Sequence, residues 1–266
     1  MVTEAGAKVA ATMLMPELVM VLQGGIAVIY MLAAALMVLW PRLQLTALML
    51  VVGALLVHVM LFMLRWHGQG QLPLVTRYED LTVDALFLVV VYLLAQWGRA
   101  ELRRAAALML VAAGGLALAA LTYSQDFYPW SPALRIFWLQ IHAPLNSLAM
   151  ALATLCASLA LLGGKAEEGR CGRLLWWVLL LWSVMVATGA YWAYLAWGRF
   201  WGWDPIESWA LATALAYAAV CHLMLRPAWA GLRGCRLALL PYAMLLFTTY
   251  GLVLVRYSMH GQYLFR

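Results

Sequence analysis

The chain has 266 residues, of which 67% are hydrophobic and only 11% are charged. Soluble globular domains carry about 25% charged residues, so this composition excludes a soluble domain and indicates a polytopic membrane protein. The net charge of +6 is spread over short segments between apolar runs. Nucleic-acid binding, which needs basic residues gathered on one face, is therefore not expected. Contact with membrane lipid is expected instead.

The apolar runs are long and follow one another along the whole chain. A transmembrane helix needs about 20 apolar residues, and the chain has room for about eight of them. We therefore expect an all-α, polytopic integral membrane helix bundle that forms a single domain over residues 1–266. The predicted spans are 18–40, 43–64, 81–97, 105–122, 136–162, 174–196, 209–225 and 237–257.

The positions of lysine and arginine predict the orientation, because short cytoplasmic loops are enriched in both. If both termini lie outside, the inner loops hold ten basic and three acidic residues, whereas the outer segments hold seven basic and eight acidic residues. Segment 197–209 then lies on the outer face, as do the polar loop 65–80 and the interfacial loop 123–135.

The four cysteines form neither a CxxC nor a CxxCH motif. The sequence therefore contains neither a thiol redox motif nor a covalent haem site of its own. In a reducing cytoplasm no disulfide is expected between the two cysteines of the inner loops. The cysteines are Cys156, Cys171, Cys221 and Cys235.

Residues 197–209, here called the Trp loop, form the longest break in the apolar second half and read WGRFWGWDPIESW. Aromatic rings on a backbone that contains Gly198, Gly202 and Pro205 suit a flat, apolar ligand with a polar edge. Five of the chain's tryptophans fall in or just before this loop, namely Trp192, Trp197, Trp201, Trp203 and Trp209.

Charged residues in and near the Trp loop have structural and functional interpretations. Asp204 precedes Pro205 and is predicted to begin a helix, with Glu207 in its first turn. Arg199 lies on the predicted outer face and can pair either with haem propionates or with lipid headgroups. The same two alternatives apply to the other outer arginines, Arg135 and Arg256.

The predicted depth of each histidine in the membrane indicates which of them could act together. His142 lies near the outer end of the fifth span and His260 just beyond the eighth, so both fall at the level of the Trp loop. Such a pair is typical of bis-histidine haem ligation, although a single interfacial histidine can also be merely solvated. His222, near the inner end of the seventh span, is a functional candidate because an ionisable group in a membrane is costly. It can also reach the inner headgroups.

The two remaining histidines favour structural roles. His58 is predicted in the outer half of the second span with no visible partner, and His67 in the polar loop 65–80. Glu79 is predicted to close that loop by accepting backbone hydrogen bonds.

The Trp loop has the WGxxWxWDPxExW form of the WWD motif and resembles the CcsA/ResC family of System II cytochrome c synthases, within the haem-handling protein superfamily. Residues 73–79 are similar to the PLxxxYE loop of that family, and His142, His222 and His260 stand where the family has its functional histidines. Ile206 departs from the lysine that is common at its position. The resemblance covers residues 65–266, and the first two helices, 1–64, have no motif support.

The resemblance implies a function in cytochrome c biogenesis with haem b as substrate. Haem would enter from the cytoplasmic side with His222 as one axial ligand, the other coming from a CcsB/ResB-like membrane partner. It would then reach an outer site in which His142 and His260 hold the iron and the Trp loop binds the porphyrin. There the CxxCH thiols of apocytochrome c would form thioethers with the haem vinyl groups.

The resemblance also implies a location and an enzymatic role. In a bacterium the location would be the cytoplasmic membrane with the site facing the periplasm, and in a plastid the thylakoid membrane. The chain would be the haem lyase, or holocytochrome c synthase, subunit of a two-component system, although no general base is evident in it.

Two other functions stay open from the sequence. A haem exporter or chaperone would bind haem without catalysing its attachment. A b-type cytochrome would hold haem within the membrane on histidines stacked at two depths, a pattern that His142 and His260 do not follow. The second intramembrane ligand could also be His58 rather than a residue of a partner.

Overall fold

A computed structural model describes residues 16–96, 103–127, 130–164 and 168–252. These residues form helices and connecting loops with no β-strand among them. The all-α membrane bundle predicted from the sequence is therefore confirmed. The helices, in chain order, are α1 (Pro16–Leu39), α2 (Gln44–Gln69), α3 (Arg77–Gln96), α4 (Arg103–Ala120), α5 (Phe137–Leu162), α6 (Glu168–Trp197), α7 (Pro205–Met224), α8 (Leu232–Leu237) and α9 (Leu239–Leu246).

Among the described residues, five helical stretches are long and apolar enough to cross a membrane, at 17–39, 41–69, 137–162, 168–197 and 205–223. Helix α3 carries Arg77, Glu79, Asp80 and Asp84 in its first eight residues, and the apolar part of α4 is shorter, at 107–120. Each of the eight predicted spans nevertheless overlaps a helical stretch within the part of the chain that the structure describes. The number of helices that cross the membrane, and the side on which the termini lie, stay predictions.

The helix boundaries follow local sequence signals. Pro41 begins a short 3-10 turn just after α1 ends, because proline lacks the N–H that would continue the helix. Gly70 ends α2 with a φ of 70°, a left-handed conformation that glycine adopts without steric cost. Pro205 begins α7 directly after its N-cap residue, Asp204.

Small residues let the helices pack closely. Helix α5 packs most extensively on α6, and α1 on α4. Between α1 and α4, a Cβ on Gly114 would come within 2.9 Å of the Ala27 carbonyl oxygen. Close backbone approach of this kind is how membrane helices gain packing energy without a hydrophobic driving force between them.

Three local predictions were wrong in extent. Helix α2 continues to Gln69, so Arg65 and His67 lie on its last turns and not in a loop. Helix α7 begins at Pro205, so only residues 198–204 of the Trp loop lie between helices. The predicted eighth span, 237–257, begins where α8 ends, and its described part is divided between α9 and a π-helical segment, Phe247–Gly251.

The prediction that the chain has no disulfide was also wrong. Cys171, at the start of α6, and Cys235, in α8, are joined by a disulfide with their Cα atoms 6.1 Å apart. The expectation rested on the redox state of the compartment alone. It did not take into account that α8 packs beside the first turns of α6.

Candidate functional site

A cleft opens at the end of the bundle where the Trp loop lies, between α3, α5, α6, α7 and the π-helical segment. It contains about 1170 Å³ of space, including its open mouth. Its lining includes His142, Trp192, Trp201 and Glu207.

His142 is held in one orientation by its surroundings. Its Nδ1 atom lies 2.9 Å from the carbonyl oxygen of Met185 on α6. Because a carbonyl oxygen can only accept a hydrogen bond, Nδ1 carries a proton, and in the neutral ring Nε2 then has the lone pair. Histidines that bind metals commonly donate their other N–H to a carbonyl in this way. The His142 side chain therefore has the tautomer that metal ligation through Nε2 requires.

Gly189, on α6, makes the position of the His142 ring possible. A Cβ at residue 189 would lie 2.6 Å from Cε1 and 2.7 Å from Nδ1 of the imidazole. Any larger residue would push the ring away from the Met185 carbonyl. Sequence analysis missed Gly189, since a glycine within an apolar helix does not indicate what it contacts.

Trp192 forms a wall of the cleft beside His142. Its ring lies nearly parallel to the imidazole, at 10° with the ring centroids 6.5 Å apart. Its Nε1 donates to the Ala133 carbonyl oxygen at 3.0 Å, and Trp197 packs edge-on against it at 4.8 Å. Trp192 is 3% exposed, so it is a fixed part of the site.

The Trp loop forms the mouth of the cleft. Gly198 turns the chain with a φ of 76°, and Trp203 is the only described non-glycine residue with a positive φ, at 56°. Phe200 stacks on Tyr194 with the ring centroids 4.3 Å apart. The Arg199 guanidinium folds over Gly202, where a Cβ would come within 2.7 Å of its Cζ.

The acidic residues of the Trp loop fix its backbone, as predicted. The Asp204 carboxylate accepts from the Ile206 N–H at 2.8 Å. The Glu207 carboxylate reaches back to the N–H groups of Asp204 and Gly202, at 3.1 and 2.7 Å. Together they form a capping box, which satisfies orphan donors at the start of α7. The predicted capping role of Asp204 is confirmed.

Not every tryptophan of the motif faces the cleft. Trp201 lines it, whereas Trp197, Trp203 and Trp209 are absent from the described lining, as are Arg199 and Asp204. Trp203 is 72% exposed. Trp209 lies on α7 and packs edge-on against Phe247. The Trp loop therefore contributes two rings, Phe200 and Trp201, to the lining of the cleft, whereas its other tryptophans lie outside that lining.

The loop before α3 is closed by Glu79, as predicted. Its carboxylate accepts from the N–H groups of Val75 and Thr76 at 2.9 and 3.1 Å, and from Arg65 Nε at 2.7 Å. The side chain is 1% exposed. These hydrogen bonds of Glu79 fix the loop that carries Leu74 and Val75, which line the cleft.

The part of the cleft lining that α3 and the π-helical segment supply is polar. Arg77, on the first turn of α3, forms an ion pair with Asp80, and its Nη1 lies 3.4 Å from the Thr249 carbonyl oxygen. Beneath them the Tyr250 hydroxyl donates to Asp84 at 2.7 Å. Sequence analysis missed Arg77 and Thr249 as site residues. The available signal was the group of charges at one end of a predicted span.

The other histidines lie away from the cleft or outside the described residues. His222 is exposed on the last turn of α7, and its two predicted roles, haem ligand or contact with the inner headgroups, stay predictions. His58 is fully buried in the middle of α2, with Nδ1 3.2 Å from the Tyr30 hydroxyl. His67 is exposed on the last turn of α2. His260 and Arg256 lie outside the described residues.

Comparison with known proteins shows which family the chain belongs to. Residues 74–260 match the family described as "Cytochrome C assembly protein", a stretch that includes the Trp loop and the lining of the cleft. The chain is also similar to curated proteins named "Cytochrome c biogenesis protein CcsA". The relative from Chlamydomonas reinhardtii is 28% identical over 229 residues, which cover 77% of this chain and 65% of the relative.

Cyanobacterial relatives of the same name are similar over more of their own length. The protein from Parasynechococcus marenigrum is 28% identical over 74% of this chain and 80% of its own. A protein from Synechococcus sp. strain CC9605 is 28% identical over 80% of this chain and 85% of its own. The chain is a membrane helix bundle that belongs to the cytochrome C assembly protein family, in its CcsA branch.

Proposed function

We propose that this protein binds haem b in the cleft and presents it to the CxxCH thiols of apocytochrome c. Family membership already assigns the chain to cytochrome c biogenesis. The observation that carries the finer proposal is the hydrogen bond from His142 Nδ1 to the Met185 carbonyl oxygen. It prepares Nε2 of this histidine for axial ligation of iron.

The other walls of the cleft fit the same substrate. Trp192, Trp201 and Phe200 offer aromatic surface for a flat macrocycle, and the capping box holds the backbone of the Trp loop in place. His260, which lies outside the described residues, is the proposed second axial ligand. The Trp203 ring, held on a positive φ at the rim, is placed to meet the haem edge or the incoming peptide. Strained backbone of this kind clusters at functional sites.

The reaction needs positioning more than acid–base chemistry. Thioether formation adds the thiol sulfur to one carbon of a haem vinyl group and the thiol hydrogen to the other, so atoms balance without a leaving group. Holding vinyl and thiol together replaces a bimolecular encounter, which contributes up to about 7–11 kcal/mol when the geometry is good. In this proposal the chain's residues bind and orient the haem.

A partner subunit is part of the proposal. The exposed side chain of His222, on the last turn of α7, supports a haem ligand that is completed from outside the chain by a CcsB/ResB-like membrane protein. His58 is the weaker candidate for the second ligand, because it is enclosed and hydrogen-bonded to Tyr30. Haem would enter on the cytoplasmic side and leave from the periplasmic one, or across the thylakoid membrane in a plastid.

The test is coexpression of this chain with a CcsB-like protein and a CxxCH reporter, in cells without another maturation system. Haem is measured by absorption spectra of the purified complex and attachment by covalent haem staining. We expect His142→Ala to lose most of the cleft haem and to reduce attachment at least tenfold, because an axial ligand is removed. The matched control, His67→Ala, changes an exposed histidine of α2 and is expected to behave as wild type.

The outcomes separate the candidate functions. Haem in the wild-type complex without attachment to the reporter would favour a haem exporter or chaperone. A His142→Ala protein that keeps wild-type haem content and full attachment would refute the assignment of this site.

A further inference from the structure

We infer that Arg77 and Thr249 form a carboxylate-binding subsite at the inner end of the cleft, and that it takes a propionate of the haem. This inference rests on the proposed function and adds to it the residues that anchor the polar edge of the substrate. Neither residue belongs to the Trp loop. They reach the cleft from α3 and from the π-helical segment Phe247–Gly251.

Arg77 has hydrogen-bonding capacity that the described protein residues do not use. The side chain is 4% exposed and lines the cleft. Its Nη1 forms an ion pair with Asp80 and lies 3.4 Å from the Thr249 carbonyl oxygen. The guanidinium Cζ lies 5.2 Å from the centroid of the Tyr250 ring. Its buried Nε has no hydrogen-bond partner among the residues that the structure describes. The Nε edge of a guanidinium is one of those that bind carboxylates in bidentate fashion.

Thr249, on the π-helical segment, also has a buried polar atom without a hydrogen-bond partner among the described residues. Its hydroxyl oxygen is buried and has no partner within the described part of the chain, while its carbonyl oxygen lies 3.4 Å from Arg77 Nη1. Buried polar atoms nearly always have hydrogen-bond partners, so two such atoms on adjacent residues of one cleft indicate a ligand. The π-helical backbone at Thr249 agrees, because π-bulges are frequent at functional sites.

The chemistry of these groups selects the ligand. A guanidinium only donates and a hydroxyl can donate, so the ligand group must accept hydrogen bonds. Asp80 and Asp84 lie close by and would repel a dianion such as phosphate. A single carboxylate is the group that best matches one arginine in this setting.

The subsite also determines which edge of the haem faces outward. Arg77 is 4% exposed, whereas Phe200, which lines the cleft at the Trp loop, is 52% exposed. Arg77 therefore lies at the inner end and the Trp loop at the mouth. Because the propionates and the vinyl groups lie on opposite halves of the porphyrin, a propionate on Arg77 turns the vinyl groups toward the mouth. That is where a CxxCH peptide can reach them.

The test compares ferric haem with its dimethyl ester, which has no free carboxylate, in titrations of the full chain purified in detergent. Wild-type protein is expected to bind haem about tenfold to a hundredfold more tightly than the ester, the range for a charged hydrogen bond. Arg77→Met should lose most of this preference by weakening haem binding while leaving ester binding unchanged. Thr249→Val, which is nearly isosteric, should lose part of it.

Two controls keep the result interpretable. Arg173→Met removes an exposed guanidinium at the opposite end of the bundle and should keep the wild-type preference. The comparison of the two ligands on wild-type protein needs no mutation, so it holds even if Arg77→Met leaves Asp80 unpaired and folds poorly. Equal affinity of wild-type protein for both ligands, or an undiminished preference in Arg77→Met, would overturn the inference. Failure of wild-type protein to bind either ligand would instead contradict the proposed function.

Discussion

At the scale of single residues, the position of the His142 imidazole depends on what lies next to it. Met185 supplies the carbonyl oxygen that sets its tautomer, and Trp192 lies parallel to its ring. Gly189 leaves the space that the ring occupies. Residues of α6 thus hold His142, which itself lies on α5, in the orientation and tautomer that the proposed ligation of iron requires.

Replacement of Gly189 tests this dependence. Gly189→Ala would place a Cβ 2.6 Å from the imidazole, so the ring must move away from Met185. We expect haem affinity to fall at least tenfold, which corresponds to about 1.4 kcal/mol, as measured by titration of the purified protein. The matched control is Gly115→Ala on α4, where a Cβ meets no atom within 4 Å. If Gly189→Ala and Gly115→Ala both bind haem like the wild type, haem binding does not depend on the hydrogen bond between His142 and Met185.

At the scale of elements, the start of α7 organises the mouth of the cleft. The capping box orients the helix, and the Glu207 carboxylate also holds the Gly202 N–H inside the loop. The same carboxylate lines the cleft. One side chain therefore connects helix initiation with the shape of the binding site.

Removal of that carboxylate should affect both stability and binding. Glu207→Ala leaves the N–H groups of Gly202 and Asp204 without their acceptor. We expect a loss of about 1–2 kcal/mol and weaker haem binding, measured by thermal unfolding and by titration. Ser208→Ala, at the next position of α7, is the control and should change neither. Wild-type stability in Glu207→Ala would show that the loop is held in another way.

At the scale of the whole molecule, the two ends of the bundle differ. The cleft, the Trp loop and the loop that Glu79 closes all lie at one end. At the other end the Cys171–Cys235 disulfide joins α6 to α8 across 64 residues, and the Cys156 sulfur lies 3.2 Å from that of Cys171. The covalent link holds the last helices against the rest of the chain, far from the cleft.

The disulfide predicts a distinct response to reduction. Cys171→Ser, or treatment with a reductant, should lower the free energy of unfolding by about 2–4 kcal/mol, seen as a lower midpoint of thermal unfolding. Haem affinity should stay the same, because the bond lies at the opposite end from the cleft. Cys221→Ser is the control, since Cys221 is a free cysteine. Mass spectrometry that finds Cys171 and Cys235 both alkylated without reduction would contradict the link.

Much of the fold could be predicted from the sequence because it depends on local patterns. Apolar runs of sufficient length predict helices in a membrane, and Asp204 before Pro205 predicts a helix start. Glu79 closes its loop through neighbours within four residues. Errors arose at helix ends, where α2 continues through residues as polar as Arg65 and His67.

The sequence by itself determined an all-α membrane bundle, the Trp loop with a helix that begins at Asp204, and His142 as a candidate ligand. Only the tertiary structure decided that Gly189 accommodates the imidazole, that Arg77 meets Thr249 across 172 residues, and that Cys171 bonds to Cys235. The physical reason is that periodicity and capping act within one element and leave a local pattern. Contacts between distant helices depend on how their surfaces pack, and no local pattern of residues records that.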